Sequence, residues 1–458
     1  MVPVGAALIR CASAFGRAAR RSGAILGFVL ALVAADVAHA RGLGLIRDAE
    51  IETYLRELSA PVMQSAGINP RDVRIYLVND GALNAFVAGG MNLFLNTGLI
   101  IRTETPEQLL GVIAHETGHI AGGHLTRVAP AQKRAAIEMI AAAILAAAAG
   151  VAGAPDVAGA IVAGGATQAT AGLAKFSRGQ EQAADQAAVT YLERTGITSE
   201  GLAEFLVVLE QENITRTRPP PYLLSHPLTR DRVSFVEQQA KTRGGHELDG
   251  AVHAEHARVR AKLQGFLDRP DRTLREYAND DSLPGRYAQA IAYYRTPDLQ
   301  RALGVIDGLI ADYPDDPYFH ELKGQMLFEH GRVADAVAPY RQAVRYAPQS
   351  SLLHLGLGRA LLESGAQADA IVELRETVRL EPSSAAGWRY LGIALGRSGS
   401  TAEADWALGE SAYLLRELDD AELYVRRASQ GGIDDPTART RLRDLERAIA
   451  DARLEERR

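Results

Sequence analysis

Residues 105–125 read TPEQLLGVIAHETGHIAGGHL, and the fold of the first half of the chain turns on them. The stretch opens with a helix start signal. Thr105 can N-cap, Pro106 suits the first helical position, and Gln108 completes a capping box. A helix is predicted to run from here through Leu125. On it, His115-Glu116-Thr117-Gly118-His119 fits H-E-x-x-H. Two histidines four residues apart project from one helical face, so both imidazoles reach one ion, and zinc suits neutral imidazoles in four-fold coordination. Glu116 is rotated to the side, where it addresses water rather than the ion. His124 lies about 140° around from His119 on a helix of ~3.6 residues per turn. It is expected to support or pack rather than to ligate. The longer pattern H-E-x-x-H-x-x-G-x-x-H would need a histidine where Leu125 stands.

Two histidines do not complete a metal site, and the best source of a further ligand is SRGQEQAADQAAVTYL, Ser177–Leu192. Its acids Glu181 and Asp185 are spaced one helical turn apart, on a surface otherwise lined by alanines. One can bind the ion while the other orients a ligand histidine by accepting its free ring N–H. Upstream, IRDAEIETYLRELSAPVMQSAG (46–67) has apolar residues at helical spacing. VRIYLVND (Val73–Asp80) and MNLFLNTGLI (Met91–Ile100) read as strands, with Gly89-Gly90 turning the chain before the second.

A chain of 458 residues with 47 % hydrophobic and 23 % charged residues suggests two or three soluble domains. Its net charge of −6, without a basic cluster outside the N-terminus, argues against a nucleic-acid binder. The first forty residues are of another kind. Arg10, Arg17, Arg20 and Arg21 precede an apolar run, Gly23–Ala35, and then Ala38-His39-Ala40. This is the pattern of a secretory signal peptide cut after Ala40; the apolar run is shorter than the ~20 residues of a spanning helix. Removing it also removes Cys11, the only cysteine, and so excludes disulfides and thiolate ligands. Between the two ligand-bearing helices, the uncharged run Met139–Pro155 reads either as a helical hairpin packed over the catalytic domain or as a membrane-facing lid.

Residues 242–283 are polar and weakly patterned, and are expected to be a partly helical linker. Beyond them a repeat of 34 residues runs through Pro314, Pro348 and Pro382. Ala302, Ala336, Ala370 and Ala404 keep the same step, as do Gly324, Gly358 and Gly392, and Gly331, Gly365 and Gly399. Period 34 with small residues where helices cross is the tetratricopeptide (TPR) signature, and Trp388 falls at the aromatic position of its repeat. After Ala404 the pattern restarts half a repeat early, at Gly409 and Ala421, and the last helices read as a cap.

H-E-x-x-H followed by S-R-x-x-E-x-x-A-D resembles the HtpX/CAAX-prenyl-protease type of zinc metallopeptidase. NAFVAGGMNLFLNTGLI (Asn84–Ile100) is similar to the strand segment those enzymes place beside the active site, and SHPLTRDRV (Ser225–Val233) to their His-Pro motif. The four motifs cover residues 43–240 in order. The resemblance implies an α+β zincin-like domain, mainly helical with a small sheet, followed by an all-α TPR solenoid. The divisions are then a signal peptide at 1–40, a metallopeptidase domain at 41–241, a linker at 242–283 and a TPR domain at 284–458. It implies one Zn2+ per chain held by His115, His119 and Glu181, with Glu116 as general base and Asp185 and His124 in support. His226 would stabilise an oxyanion or take the fourth zinc position. Asn92, Phe94 and Asn96 would lie on an edge strand that pairs with extended substrate. Integral-membrane members carry several spanning helices, which this chain lacks; its TPR tail matches the periplasmic branch. That branch implies a periplasmic endopeptidase acting on misfolded or misassembled envelope proteins, with outer-membrane β-barrel assembly machinery as a partner and peripheral membrane contact. The competing expectation is a mostly latent protease that works as a TPR chaperone or adaptor.

Overall fold

The computed structural model describes residues 44–124, 178–215, 221–433 and 436–456. Residues 1–40, expected as a signal peptide, and the run Met139–Pro155 lie outside them. The first domain begins with β1 (Leu45–Ile46), which leads into helix α1 (Ala49–Ser65) capped by the Asp48 side chain at Ile51 N–H. Strands β2 (Arg74–Val78), β3 (Ala85–Ala88) and β4 (Asn92–Asn96) follow. They form one sheet in the order β1-β2-β4-β3, with β2 and β4 parallel and the outer pairs antiparallel.

That order corrects one expectation. β4 is bonded on both sides, so Asn92, Phe94 and Asn96 do not lie on an edge. Asn92 instead donates to the carbonyls of Ala88 and Gly89, closing the turn. Phe94 is stacked between Tyr76 and Phe86, and Asn96 is buried at the start of the next helix. The outer strand on this side is β3, whose four residues are too few to show a period. The strand expected through Ile100 also stops early, at Asn96. Thr97 and Gly98 both bond the Asp80 carbonyl, and this turns the chain into helix α2 (Thr97–Arg102).

Helix α3 (Pro106–Ala121) starts as its capping signal requires, with Thr105 Oγ1 accepting from Gln108 N–H and the Gln108 side chain accepting from Glu104 N–H. It crosses α4 (Arg178–Thr195) and α5 (Glu200–Thr215); α6 (Pro221–Ser225) and α7 (Arg230–Arg243) complete the group. Leu55, Leu93, Leu109, Leu110 and Leu209 are fully buried in one core formed by α1, the sheet, α3 and α5. Each such side chain contributes about 1.5–3 kcal/mol of burial energy.

The stretch 242–283, expected as a linker, belongs to the body of the protein. Helix α8 (Gly250–Leu267) puts Val259 and Leu263 into the first core, and α9 (Pro270–Glu276) follows it. Its polar composition misleads because its polar groups are buried in pairs. Lys262 reaches Asp48 at 2.7 Å and Glu50 at 3.0 Å, and Arg258 pairs with Glu50 and Asp316. The imidazole of His256 is 1 % exposed, with Nδ1 at 2.7 Å from the Tyr54 hydroxyl and Nε2 at 2.8 Å from the Thr103 carbonyl.

The rest is helical: α10 (Leu283–Tyr294), α11 (Leu299–Asp312), α12 (Pro317–Glu329), α13 (Val333–Tyr346), α14 (Ser351–Glu363), α15 (Gln367–Leu380), α16 (Ala385–Arg397), α17 (Thr401–Leu414), α18 (Leu418–Gly431) and α19 (Pro436–Glu456). The 34-residue step has a physical basis at each turn. Gly331, Gly365 and Gly399 all take positive φ just after a helix, the left-handed conformation that costs glycine nothing. Pro314, Pro348 and Pro382 each follow a helix end, and their carbonyls accept ring N–H bonds from His320, His354 and Trp388, again 34 apart. No described helix is long and apolar enough to cross a membrane.

The joint at His256 gives a stability prediction. Neutral imidazole satisfies both partners, accepting from Tyr54 and donating to Thr103, and burial pushes its pKa down to about 4. The stabilisation is complete above about pH 6.5 and is lost as pH falls toward 4, because the unfolded chain takes up the proton first. Between about pH 7 and pH 5 it amounts to about 2 kcal/mol. Denaturant unfolding at both pH values should show His256→Gln losing less stability than the native chain; equal losses would refute the assignment.

Candidate metal centre

The centre forms where α3 and α4 touch. Gly118, inside the H-E-x-x-H motif, makes this possible: a Cβ there would sit 2.9 Å from the Ala184 carbonyl oxygen. With hydrogen at that position, α4 lies close enough for Glu181 and Asp185 to meet the α3 histidines. All four groups are buried, as are Glu116 and His226.

His115 Nδ1 lies 2.9 Å from Asp185 Oδ1, so its N–H donates there and leaves the Nε2 lone pair facing inward. His119 Nδ1 lies 3.0 Å from His124 Nδ1. His124 is off the helix, contrary to the run predicted through Leu125. The helix ends at Ala121, and Gly123, at φ 60°, turns the chain so that His124 folds back on His119. The Nε2 atoms of His115 and His119 are 3.1 Å apart. Around them, His226 Nδ1 is 3.4 Å from His115 Nε2 and 3.1 Å from Glu181 Oε1, while His119 Nε2 is 3.4 Å from Glu181 Oε1.

Those spacings fit a tetrahedral cation. Bonds of about 2.0–2.1 Å would separate ligand atoms by about 3.3–3.4 Å. Ring lone pairs 3.1 Å apart and aimed at one point repel unless a cation lies between them. The charge balance agrees: Glu116, Glu181 and Asp185 are carboxylates in the interior, and among the described residues the one arginine or lysine against them is Arg232. A divalent ion compensates that excess. The site accordingly fits the metal that its residue types imply.

Arg232 is a residue the sequence reading missed. It binds Asp185 through Nε and Nη2, at 2.6 and 2.9 Å, and reaches Glu181 Oε2 at 2.7 Å through Nη1. Thr229 caps its helix, so the signal lay inside SHPLTRDRV, but nothing there distinguishes Arg232 from exposed Arg230. Tyr222 was also missed; its ring stacks on His226 with centroids 4.4 Å apart.

Burial pushes His119 down to about 3, so it is a neutral donor despite Glu181. Burial also opposes a charge on His115, but Asp185 and Glu181 outweigh it and push that imidazole up to about 9. The same carboxylates thus draw positive charge to the centre. Glu181 and Asp185 are raised by burial yet held below the usual carboxylate range, Glu181 by the histidines and Asp185 by Arg232 and His115. Glu116 differs: burial raises it, and neither oxygen has a hydrogen-bond partner among the described residues.

Residues 47–240 match Peptidase family M48, and residues 287–351 and 329–385 match the tetratricopeptide repeat. The chain thus carries a segment that matches the M48 peptidases, followed by segments that match TPR repeats. Its relatives include the beta-barrel assembly-enhancing protease of Yersinia pestis, 26 % identical over 321 residues, or 68 % of this chain and 65 % of that one. The protein of the same name from Escherichia coli K12 is 26 % identical over 196 residues, 43 % of this chain and 40 % of that one. The matches thus span less than two thirds of either relative. Among solved structures, MamA 41-end from Desulfovibrio magneticus RS-1 is 21 % identical and covers 36 % of this chain and 97 % of that one. Its TM-score of 0.32 carries no functional argument.

Asp185 fixes the tautomer and orientation of His115. Asp185→Asn should weaken metal binding by about 10–100-fold, measured by competition with a chelating dye. Unchanged affinity would show that Asp185 has no such part.

Proposed function

We propose that this chain is a zinc-dependent endopeptidase whose ligands are His115, His119 and Glu181 and whose general base is Glu116. The observation that carries the reading is the Glu116 carboxylate: wholly buried, unbonded at both oxygens, and beside four converging donors. A buried carboxylate that accepts no hydrogen bond is costly, and a reactant can supply the donor it lacks. Zinc, favoured by three imidazoles and a carboxylate, would supply Lewis acidity toward a peptide carbonyl and acidify water. Glu116 then takes the proton of the attacking water as it adds to the carbonyl, and returns it to the departing amine nitrogen. Burial, by raising the carboxyl's proton affinity, suits Glu116 to hold that proton in between. Arg232 and Asp185 do not touch the reactants; they hold Glu181 and His115 in place. His124 does the same for His119.

Substrate in this reading lies extended along β3, the sheet's outer strand beside α3. Main-chain pairing of that kind is weakly selective for sequence and suits unfolded chains. The relatives' name speaks of β-barrel assembly, and in our reading the clients are outer-membrane β-barrel proteins whose assembly has failed, met in the periplasm after a signal peptide at 1–40 is removed. The TPR repeats recruit them or the assembly machinery.

A second reading has its own observation. His226 Nδ1 stands at the fourth corner of the donor cluster, where a reactant would otherwise enter, while its Nε2 lies 3.4 Å from Glu116 Oε1. In this arrangement the site is closed and the repeats do the work of an adaptor. The α6–α7 turn carrying His226 moves away when the enzyme acts.

Glu116→Gln should lower peptide hydrolysis by about 10²–10⁴-fold with metal content unchanged. A variant that hydrolyses peptides like the native chain would end the proposal. Replacing His226 by Ala tests the closed state. A higher turnover of an unfolded protein substrate supports it, whereas a loss with metal retained assigns His226 to the reaction itself.

A further inference from the structure

The sheet has a second edge, away from the metal centre, and it is open. β1 pairs with β2 only at Leu77 and Val78, because the chain leaves the sheet after Ile46 to begin α1. Arg74 N–H donates to Met91 O on the β4 side, and Asn79 N–H donates to Gly44 O on the β1 side. Strand alternation therefore turns the N–H and C=O of Ile75 to the β1 side, beyond the point where β1 ends. No backbone partner takes them up among the described residues.

This edge faces the repeats across a cavity of about 250 Å³, walled on the far side by Leu352 and Leu355 and by the start of α16. Its charges are unbalanced. Glu52 and Glu381 line it, but both are bound by Arg47. Arg56, Arg71 and Arg74 also line it, and all three are exposed with no ion pair among the described residues. The start of α16 adds the positive end of a helix dipole.

We infer that this groove is a binding site for an extended acidic peptide segment, which adds to the sheet at Ile75 and is held by Arg56, Arg71 and Arg74. Three features select a peptide over an anionic lipid surface. The open donor–acceptor pair is that of a strand edge, the wall on the side of the repeats offers Leu352, Leu355, Ala385 and Ala386 to apolar side chains, and the groove is enclosed between two domains. A client held here by an acidic stretch would be retained by the repeats and the catalytic domain together. The site is independent of hydrolysis, so it stands or falls apart from the assignment of the metal centre.

The test uses the whole chain carrying Glu116→Gln, so that the probe is not consumed. A fluorescent decapeptide of alternating Glu and Val should bind, and its affinity should fall with salt. The Lys/Val counterpart should bind at least about 10-fold more weakly. Arg56→Glu with Arg74→Glu should weaken the acidic peptide by about 10-fold or more, and methylating alternate backbone nitrogens of the peptide should do the same with the protein untouched. Acidic-peptide binding that ignores both changes would overturn the proposal. So would capture by anionic vesicles, lost with the same arginines, in place of the peptide. Both arginines are exposed, and circular dichroism confirms that the variant is folded.

Discussion

Arg232 lies between two carboxylates one helical turn apart, and the metal centre depends on that contact. Glu181 and Asp185 are both fully buried beside the similarly buried Glu116. Without a cation, that concentration of negative charge in a low-dielectric interior would drive protonation or open the helix pair. Arg232 supports Asp185 with two bonds and Glu181 with one, leaving Asp185 Oδ1 able to accept from His115 and Glu181 Oε1 turned toward His119 and His226. A lysine would offer a point charge there, not a planar fork that spans two acids. The guanidinium thus sets the geometry that the histidines meet, although it stands outside the donor cluster.

How far the sequence revealed this varies with the kind of signal. The α3 helix and the repeats were legible because period, caps and small residues at crossings are local facts about a chain. The proposed ligand set was half legible. Helical spacing brought His115 to His119 and Glu181 to Asp185, but choosing between the two acids needed the resemblance. The edge strand was misread because nothing within Met91–Ile100 states which strands lie on either side; β3, four residues long, takes the outer place. His124 was placed on a helix that in fact ends at Ala121, before Gly123 turns the chain. Residues 242–283 were misread for a different reason. Their charges looked solvated, and instead Arg258 and Lys262 are buried against Asp48, Glu50 and Asp316. Composition reports polarity, not the presence of a partner elsewhere in the chain.

Those ion pairs make the two halves of the molecule a single unit at the joint. Glu50, on α1, accepts from the Tyr287 hydroxyl of α10 as well as from Lys262. Ala49 packs with Ala343 and Leu353 of the repeats. The first helix of the chain therefore has one face on the sheet and one end on the solenoid. The first domain and the repeats thus meet through buried ion pairs and direct packing, with no extended linker between them.

The bond from Arg47 to Glu381 spans 334 residues. A ribosome makes these two groups far apart in time, and loop closure of that length is slow relative to helix pairing. The helices of the first domain can assemble while the repeats are still being made, but the segment from β1 into α1 lacks its anchorage on Glu381 until the residue after α15 has appeared. During that interval the Ile75 edge stands bare, without the repeat-side wall. The order of synthesis thus gives the groove a history. It begins as an unprotected strand edge and becomes an enclosed site only as α14 and the start of α16 dock, so a chain cut short before Ser351 would keep the residues of the candidate metal centre and still present an adhesive edge.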